Sequence, residues 1–170
     1  MRRIIFHVDV NSAFLSWEAV YRLRHLGGTL DLRTIPSAVG GDQEKRHGII
    51  LAKSIPAKKY KVQTGEPIVD ARAKCPQLML VPPNYELYQR SSKAMIRILS
   101  EYADQIEKYS IDEAFLDMTG ICQEPKETAE KLKEQIFREL GFTVNVGISS
   151  NKLLAKMASD FEKPDRVHTL

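Results

Sequence analysis

Tyr109-Ser110-Ile111-Asp112-Glu113-Ala114-Phe115-Leu116-Asp117 places two adjacent carboxylates, Asp112 and Glu113, inside an otherwise apolar, strand-like run. Carboxylates in such a setting are costly unless a cation or a hydrogen-bond donor meets them. Neighbouring residues of a strand point to opposite faces, so both acids reach one site only where the strand starts, ends or bends around a ligand. A third acid has a similar setting: Asp9 ends the run Ile4-Ile5-Phe6-His7-Val8. Three acids at two strand ends form a hard, oxygen-rich set suited to magnesium.

The rest of the composition narrows the class. With 170 residues and 43% hydrophobic content, the chain can bury a core and suits one domain or two small ones. No run approaches a membrane span, and the N-terminus lacks the apolar stretch and cleavage site of a signal peptide, so a cytoplasmic protein with no membrane partner is expected. Cys75 and Cys122 fall in no metal-type or redox-type spacing and are read as reduced thiols. The net charge of +3 does not itself point to nucleic acid. Its distribution is more informative: Lys45, Arg46, Lys53, Lys58, Lys59 and Lys61 form a block without an acid, able to bind phosphates or simply to be a solvated basic face.

Along the chain, a strand at Arg3–Val10 leads into a helix capped by Asn11 or Ser12 and stopped by Gly27-Gly28. Strands near Pro36–Val39 and Gly48–Ala52, joined by a polar turn through Gly40-Gly41-Asp42, read as a hairpin. Short helices follow Pro56 and Pro67, and Leu78–Val81 is a short strand. A long helix from Asn84 to about Ala103 carries Tyr85, Tyr88, Ser92, Met95, Ile96, Leu99, Tyr102 and Ala103 on one face, most simply core. Strands at Ile106–Ser110 and Ala114–Met118 flank the acid pair. An amphipathic helix spans Glu124–Leu140 with Ala129, Leu132, Ile136 and Leu140 inward. Thr143–Ser149 alternates as a strand, and Ser149-Ser150-Asn151 caps a last helix to about Phe161. With the first strand joining the later ones, the order predicts an α+β fold of the split βαβ, ferredoxin-like kind, its segment 11–82 an insertion carrying the basic block.

Three separated motifs in this order resemble the Y-family lesion-bypass DNA polymerases, and within them the bacterial UmuC-type branch. They are His7-Val8-Asp9-Val10-Asn11-Ser12-Ala13-Phe14, then Ser110-Ile111-Asp112-Glu113-Ala114-Phe115-Leu116-Asp117, then Val146-Gly147-Ile148-Ser149-Ser150-Asn151-Lys152 through Asp160 to Lys163-Pro164. The resemblance covers essentially the whole chain. It implies a palm at 1–10 and 83–170, an antiparallel or mixed sheet with helices on one face, and a small fingers domain at 11–82. It further implies error-prone translesion synthesis on primer-template DNA with deoxynucleoside triphosphates, as in DNA repair and the SOS response. Asp9, Asp112 and Glu113 would be the carboxylates for two magnesium ions, with the Val10 carbonyl completing the nucleotide-side ion; such a pair clamps the attacking and leaving oxygens of an in-line displacement.

The same resemblance makes Phe14 a steric gate against a ribose 2′-hydroxyl, although read alone Phe14 suits a core position. The backbone N–H groups of Ser12, Ala13 and Phe14 open a helix and could seat a triphosphate. Lys163 aligns with a lysine that reaches the phosphates; by itself it reads as a helix C-terminal cation. The chain departs from the pattern in the fingers. Where many relatives have S-Y-E-A-R, this chain has Ser54-Ile55-Pro56-Ala57-Lys58, so Lys58 keeps the charge without the bidentate fork. The triphosphate grip there is expected to be looser, or supplied by Lys53, Lys59 or elsewhere. Lys61 stands where relatives favour Gly, which argues against a positive-φ turn. The resemblance implies thumb and little-finger domains after the Lys-Pro motif, which are expected to be absent here, and a sliding clamp or recombinase would act through those parts. A catalytic fragment, weak or inactive alone, is therefore expected. Two other readings remain open at this level: a nucleotide cyclase, whose palm-like sheet uses two metals, and a non-catalytic binding module.

Overall fold

Ile5–Val10, β1, sits at the centre of a five-stranded sheet, with strands on both sides, and its residues are almost all buried, His7 among them. The computed structural model describes residues 2–41 and 48–170. These divide into two compact units, 1–11 with 89–170, and 12–88.

In the first unit the sheet also contains β5 (Ile106–Lys108), β6 (Glu113–Asp117), β7 (Val144–Ser149) and β8 (Val167–Thr169), in the order β5-β6-β1-β7-β8. β1 runs antiparallel to both β6 and β7, while β7 and β8 are parallel. The predicted order of elements stands, with β8 added. That strand is three residues long and follows an irregular segment, so no periodicity announced it. Helix α5, Pro125–Leu140, starts with proline at its first position and ends at Gly141 in the left-handed conformation, buries Ala129, Leu132 and Ile136, and leaves Leu140 half-buried. Helix α6, Lys152–Ser159, is capped by Asn151, whose side chain accepts from the Leu154 N–H at 2.9 Å.

Helix α6 lies on the acid-bearing side of the sheet because β7 has a glycine there. A Cβ on Gly147 would stand 1.9 Å from the Ala155 carbonyl oxygen and 2.5 Å from the Ser159 nitrogen. Register places Gly147 opposite His7, so the face α6 covers is the face of His7 and Asp9.

The second unit has its own three-stranded sheet, β3-β2-β4, from β2 (Ser37–Gly40), β3 (Ile50–Lys53) and β4 (Met79–Val81). β2 and β3 form the expected antiparallel pair, with a register irregularity at Val39/Gly40. The link's Asp42 and the basic Lys45 and Arg46 lie outside the described residues. Helix α1, Ala13–His25, packs on this sheet. Short helices α2 (Ile55–Lys58) and α3 (Ile68–Lys74) complete a small core around Ala38, Ile50, Ala57, Val62, Ile68, Ala71, Cys75 and Leu78. Ser54 caps α2 by accepting from the Ala57 N–H at 3.1 Å.

Two expectations change here. Lys61 does adopt a positive φ, 63°, so the turn after Tyr60 keeps its left-handed shape without glycine. The Lys61 N–H bonds the Lys58 carbonyl at 2.9 Å, and the Lys74 ammonium bonds the Lys61 carbonyl at 2.6 Å, which together hold it there. In α4, Tyr85–Leu99, the inward stripe also differs in detail: Tyr85 is 56% exposed and Ile96 half-buried, while Leu87 and Ile98 are buried.

Candidate active site

Asp9 and Glu113 are register partners on neighbouring antiparallel strands, so their side chains share a face with Cβ atoms roughly 5 Å apart. Asp112 precedes the first residue of β6, where the chain is not yet bound to strand alternation. Its carbonyl accepts the Val10 N–H at 3.0 Å, which ties the β6 entrance to the end of β1. The Ser110 hydroxyl lies 2.8 Å from Asp112 Oδ1 and 3.1 Å from Glu113 Oε2. One hydroxyl within reach of both acids shows that the strand start turns two adjacent carboxylates toward a common point.

Cations already stand on these oxygens. The Lys163 ammonium bonds Asp9 Oδ2, and the Lys156 ammonium, on α6, bonds Glu113 Oε1. His7 is fully buried between Ser159, 2.7 Å from its Nδ1, and Glu113, 3.0 Å from its Nε2. Among the described residues no three His, Cys, Asp or Glu side chains are gathered as a finished ion cage. The lysines supply the positive charge instead, on an all-oxygen set of the kind magnesium takes.

The electrostatics are asymmetric. Burial pushes the Asp9 carboxyl above the usual aspartate range; Lys163 opposes this, and the charges of Asp112 and Glu113 add to it. Burial also acts upward on Glu113, yet Lys156 in the first place, then Ser110 and His7, hold it below the ordinary glutamate value. For Lys163, burial acts downward but its bond to Asp9 outweighs it and the ammonium is held more firmly than usual. His7 is kept below the usual histidine value by burial and the nearby Lys156 charge.

The impB/mucB/samB family model matches residues 8–160, from within β1 to the end of α6. The chain belongs to this family. It is 54% identical to a Clostridium acetobutylicum protein named DNA polymerase IV over 172 residues, covering all of this chain and 43% of that relative. Among solved structures, DinB from Sulfolobus solfataricus matches with a TM-score of 0.86 at 31% identity, over 98% of this chain and 48% of that one. An insertion ternary complex of Dbh DNA polymerase matches with a TM-score of 0.84 at 29% identity, over 98% of this chain and 48% of that one. The chain thus spans less than half the length of the relatives it matches.

Within this impB/mucB/samB chain, Ser12, Ala13, Phe14 and Lys58 belong to the second unit. Ser12 is exposed, stands at the head of α1 with φ 45°, and makes no capping bond through its side chain. Phe14 is half-buried and stacks on Tyr88, centroids 4.3 Å apart and 10° from parallel, with Tyr85 edge-on at 6.0 Å. Tyr88 is itself fixed by donating to the buried Glu18 at 2.9 Å. Lys58 is exposed at the end of α2. Lys53 is half-buried; burial and the Lys58 charge lower its pKa.

Sequence reasoning passed over His7, Lys156 and Asn145. His7 had a usable signal, standing two residues before Asp9 and hence on the same strand face. Lys156 had none, because its reach to Glu113 depends on how closely α6 approaches β7.

Proposed function

We propose that the chain is the catalytic part of a template-directed DNA polymerase of the translesion class, working in the cytoplasm on primer-template DNA. It would transfer nucleotides from deoxynucleoside triphosphates to a primer 3′-hydroxyl. The first unit would be the palm and the second the fingers. The observation that carries this reading is the register match of Asp9 with Glu113, with Asp112 brought alongside through Ser110. Names and complexes among the relatives support the substrate class.

The acids fit a pair of magnesium ions by chemistry: they are oxygen donors, partly shielded from water, and arranged to receive positive charge that Lys156 and Lys163 now provide. Asp9, Asp112 and Glu113, with the Val10 carbonyl, would hold the ions. When bound, such ions supply Lewis-acid activation of the attacking hydroxyl and neutralise the departing pyrophosphate. The chain's own residues do the rest. Lys163 is already on the oxygen of Asp9 and is suited to pass to a phosphate oxygen. Lys156 steadies Glu113. The α1 N-terminus at Ser12, Ala13 and Phe14 favours anionic groups. Phe14, braced by Tyr88, would exclude a 2′-hydroxyl, and Lys58 would offer a point charge to the triphosphate.

Calorimetry with magnesium and a deoxynucleoside triphosphate tests this. The parent chain is expected to give a magnesium-dependent binding heat that Asp112→Ala loses. Equal heats in both would overturn it. A cyclic product from nucleoside triphosphates without DNA would assign the cyclase reading instead.

A further inference from the structure

Asn145, the second residue of β7, is fully buried and uses its whole amide. Its Oδ1 accepts from Asn11 Nδ2 at 3.1 Å and from the Arg166 N–H at 3.2 Å; its Nδ2 donates to the carbonyls of Ser159 at 2.9 Å and Glu162 at 2.7 Å. The nucleotidyl-transfer chemistry above does not use it. Register sets it directly opposite Asp9 on the same face of the sheet.

Asn11 extends the network, its Oδ1 accepting from the Thr143 hydroxyl at 2.9 Å and the Asp165 N–H at 3.0 Å. The two amides therefore stitch the end of α6 and the irregular segment that follows it at four backbone points: Ser159 O, Glu162 O, Asp165 N and Arg166 N. Lys163 lies inside those stitches, with its ammonium on Asp9 and 3.0 Å from Asp160. Asp165 has φ 61°, and Lys133 on α5 holds its carboxylate at 2.8 Å. A left-handed backbone is uncommon for a residue with a side chain, and here tertiary bonds hold Asp165 in it.

We propose that Asn145, together with Asn11, is a positioning residue that holds the segment so that the Lys163 ammonium stands at Asp9. The chemistry explains why an amide is needed. Two carbonyls and two N–H groups converge on one buried side chain, and only a group with two donors and two acceptor sites satisfies all four. An aspartate of the same shape turns its second oxygen toward the Ser159 and Glu162 carbonyls, and the segment opens.

The consequence for nucleotide binding rests on the reading of Lys163 as a phosphate-facing cation; the positioning itself does not. Lysine footprinting with a soluble amine-acylating ester, read by mass spectrometry on the 170-residue chain, tests it. In Asn145→Asp the Lys163 rate is expected to rise several-fold while Lys156 and Lys74 keep theirs. An unchanged Lys163 rate, or an equal rise at all three lysines, would overturn the proposal. Should Asn145→Asp fail to fold by circular dichroism, Asn11→Ala removes the stitch at the Asp165 N–H and the bond to Asn145 Oδ1, and the same selective rise at Lys163 is required of it. Magnesium with dATP separates the two ideas: protection of Lys163 in the parent supports the phosphate role. Absence of protection alongside a selective rise in the variant counts against that role and leaves the clamp standing.

Discussion

Glu18 shows how much of the proposed gate depends on a residue remote from chemistry. Phe14 lies flat on Tyr88, and Tyr88 is anchored by its hydroxyl on the buried Glu18 carboxylate. Tyr88→Phe leaves that carboxylate with Arg22 Nε at 3.7 Å and without its short donor, and is expected to cost ~1–3 kcal/mol in denaturant unfolding. Burial raises the Glu18 pKa against the pull of Tyr88 and Arg22. A carboxyl raised in the folded state adds stability below its unfolded value and loses it as pH rises through the folded value. Glu18→Gln keeps an acceptor for Tyr88 and sheds the charge. The variant should therefore melt higher than the parent at pH 7, the gap closing as pH falls below the ordinary glutamate range; a gap that is constant with pH would contradict this. At this scale the acids of the site were legible, because a carboxylate ending an apolar run is an anomaly that asks for a partner. The Glu18 partnership was not, since nothing local to α1 signals that Tyr88, seventy residues on, folds over it.

Helix α6 is the element on which the site turns. It carries Lys156 to Glu113 and Ser159 to His7, and it starts the segment bearing Lys163. Its approach depends on Gly147, where an added Cβ would strike backbone that cannot rotate away. Gly147→Ala should cost about 3 kcal/mol, the upper end for overpacking, and free Lys156 from Glu113. Thermal melts and the lysine footprint check both parts; a variant with parental stability and parental Lys156 reactivity would show that α6 sits further off. The existence of α6 and its cap at Asn151 followed from sequence, since N-cap chemistry is local. Its distance from the sheet did not, because Gly147 lies in a motif where a glycine has several possible reasons. β8 escaped notice for a related cause: three residues give too little alternation, and its pairing with β7 follows from the stitched segment before it.

Across the whole chain, 25 basic and 22 acidic residues leave a net charge of only +3, a weak field for holding a polyanion. Phosphate contacts dominate DNA affinity, so under the proposed function this chain would depend on metal and nucleotide at the acid cluster more than on a grip along DNA. Among the described residues no helix is long and apolar enough to cross a membrane. The described residues form two units, one carrying the acids and one carrying Phe14 and Lys58, and the fold is similar to that of the solved relatives over nearly all of this chain. The most direct measurement is anomalous diffraction from crystals soaked with manganese and a non-hydrolysable deoxynucleoside triphosphate, for the parent and for Asp112→Ala. Anomalous peaks among the Asp9, Asp112 and Glu113 oxygens, with Lys156 and Lys163 moved off them and at least one peak lost in the variant, are the predicted result. Lysines still seated on Asp9 and Glu113 with no peak between them, or peaks indifferent to Asp112→Ala, would contradict it.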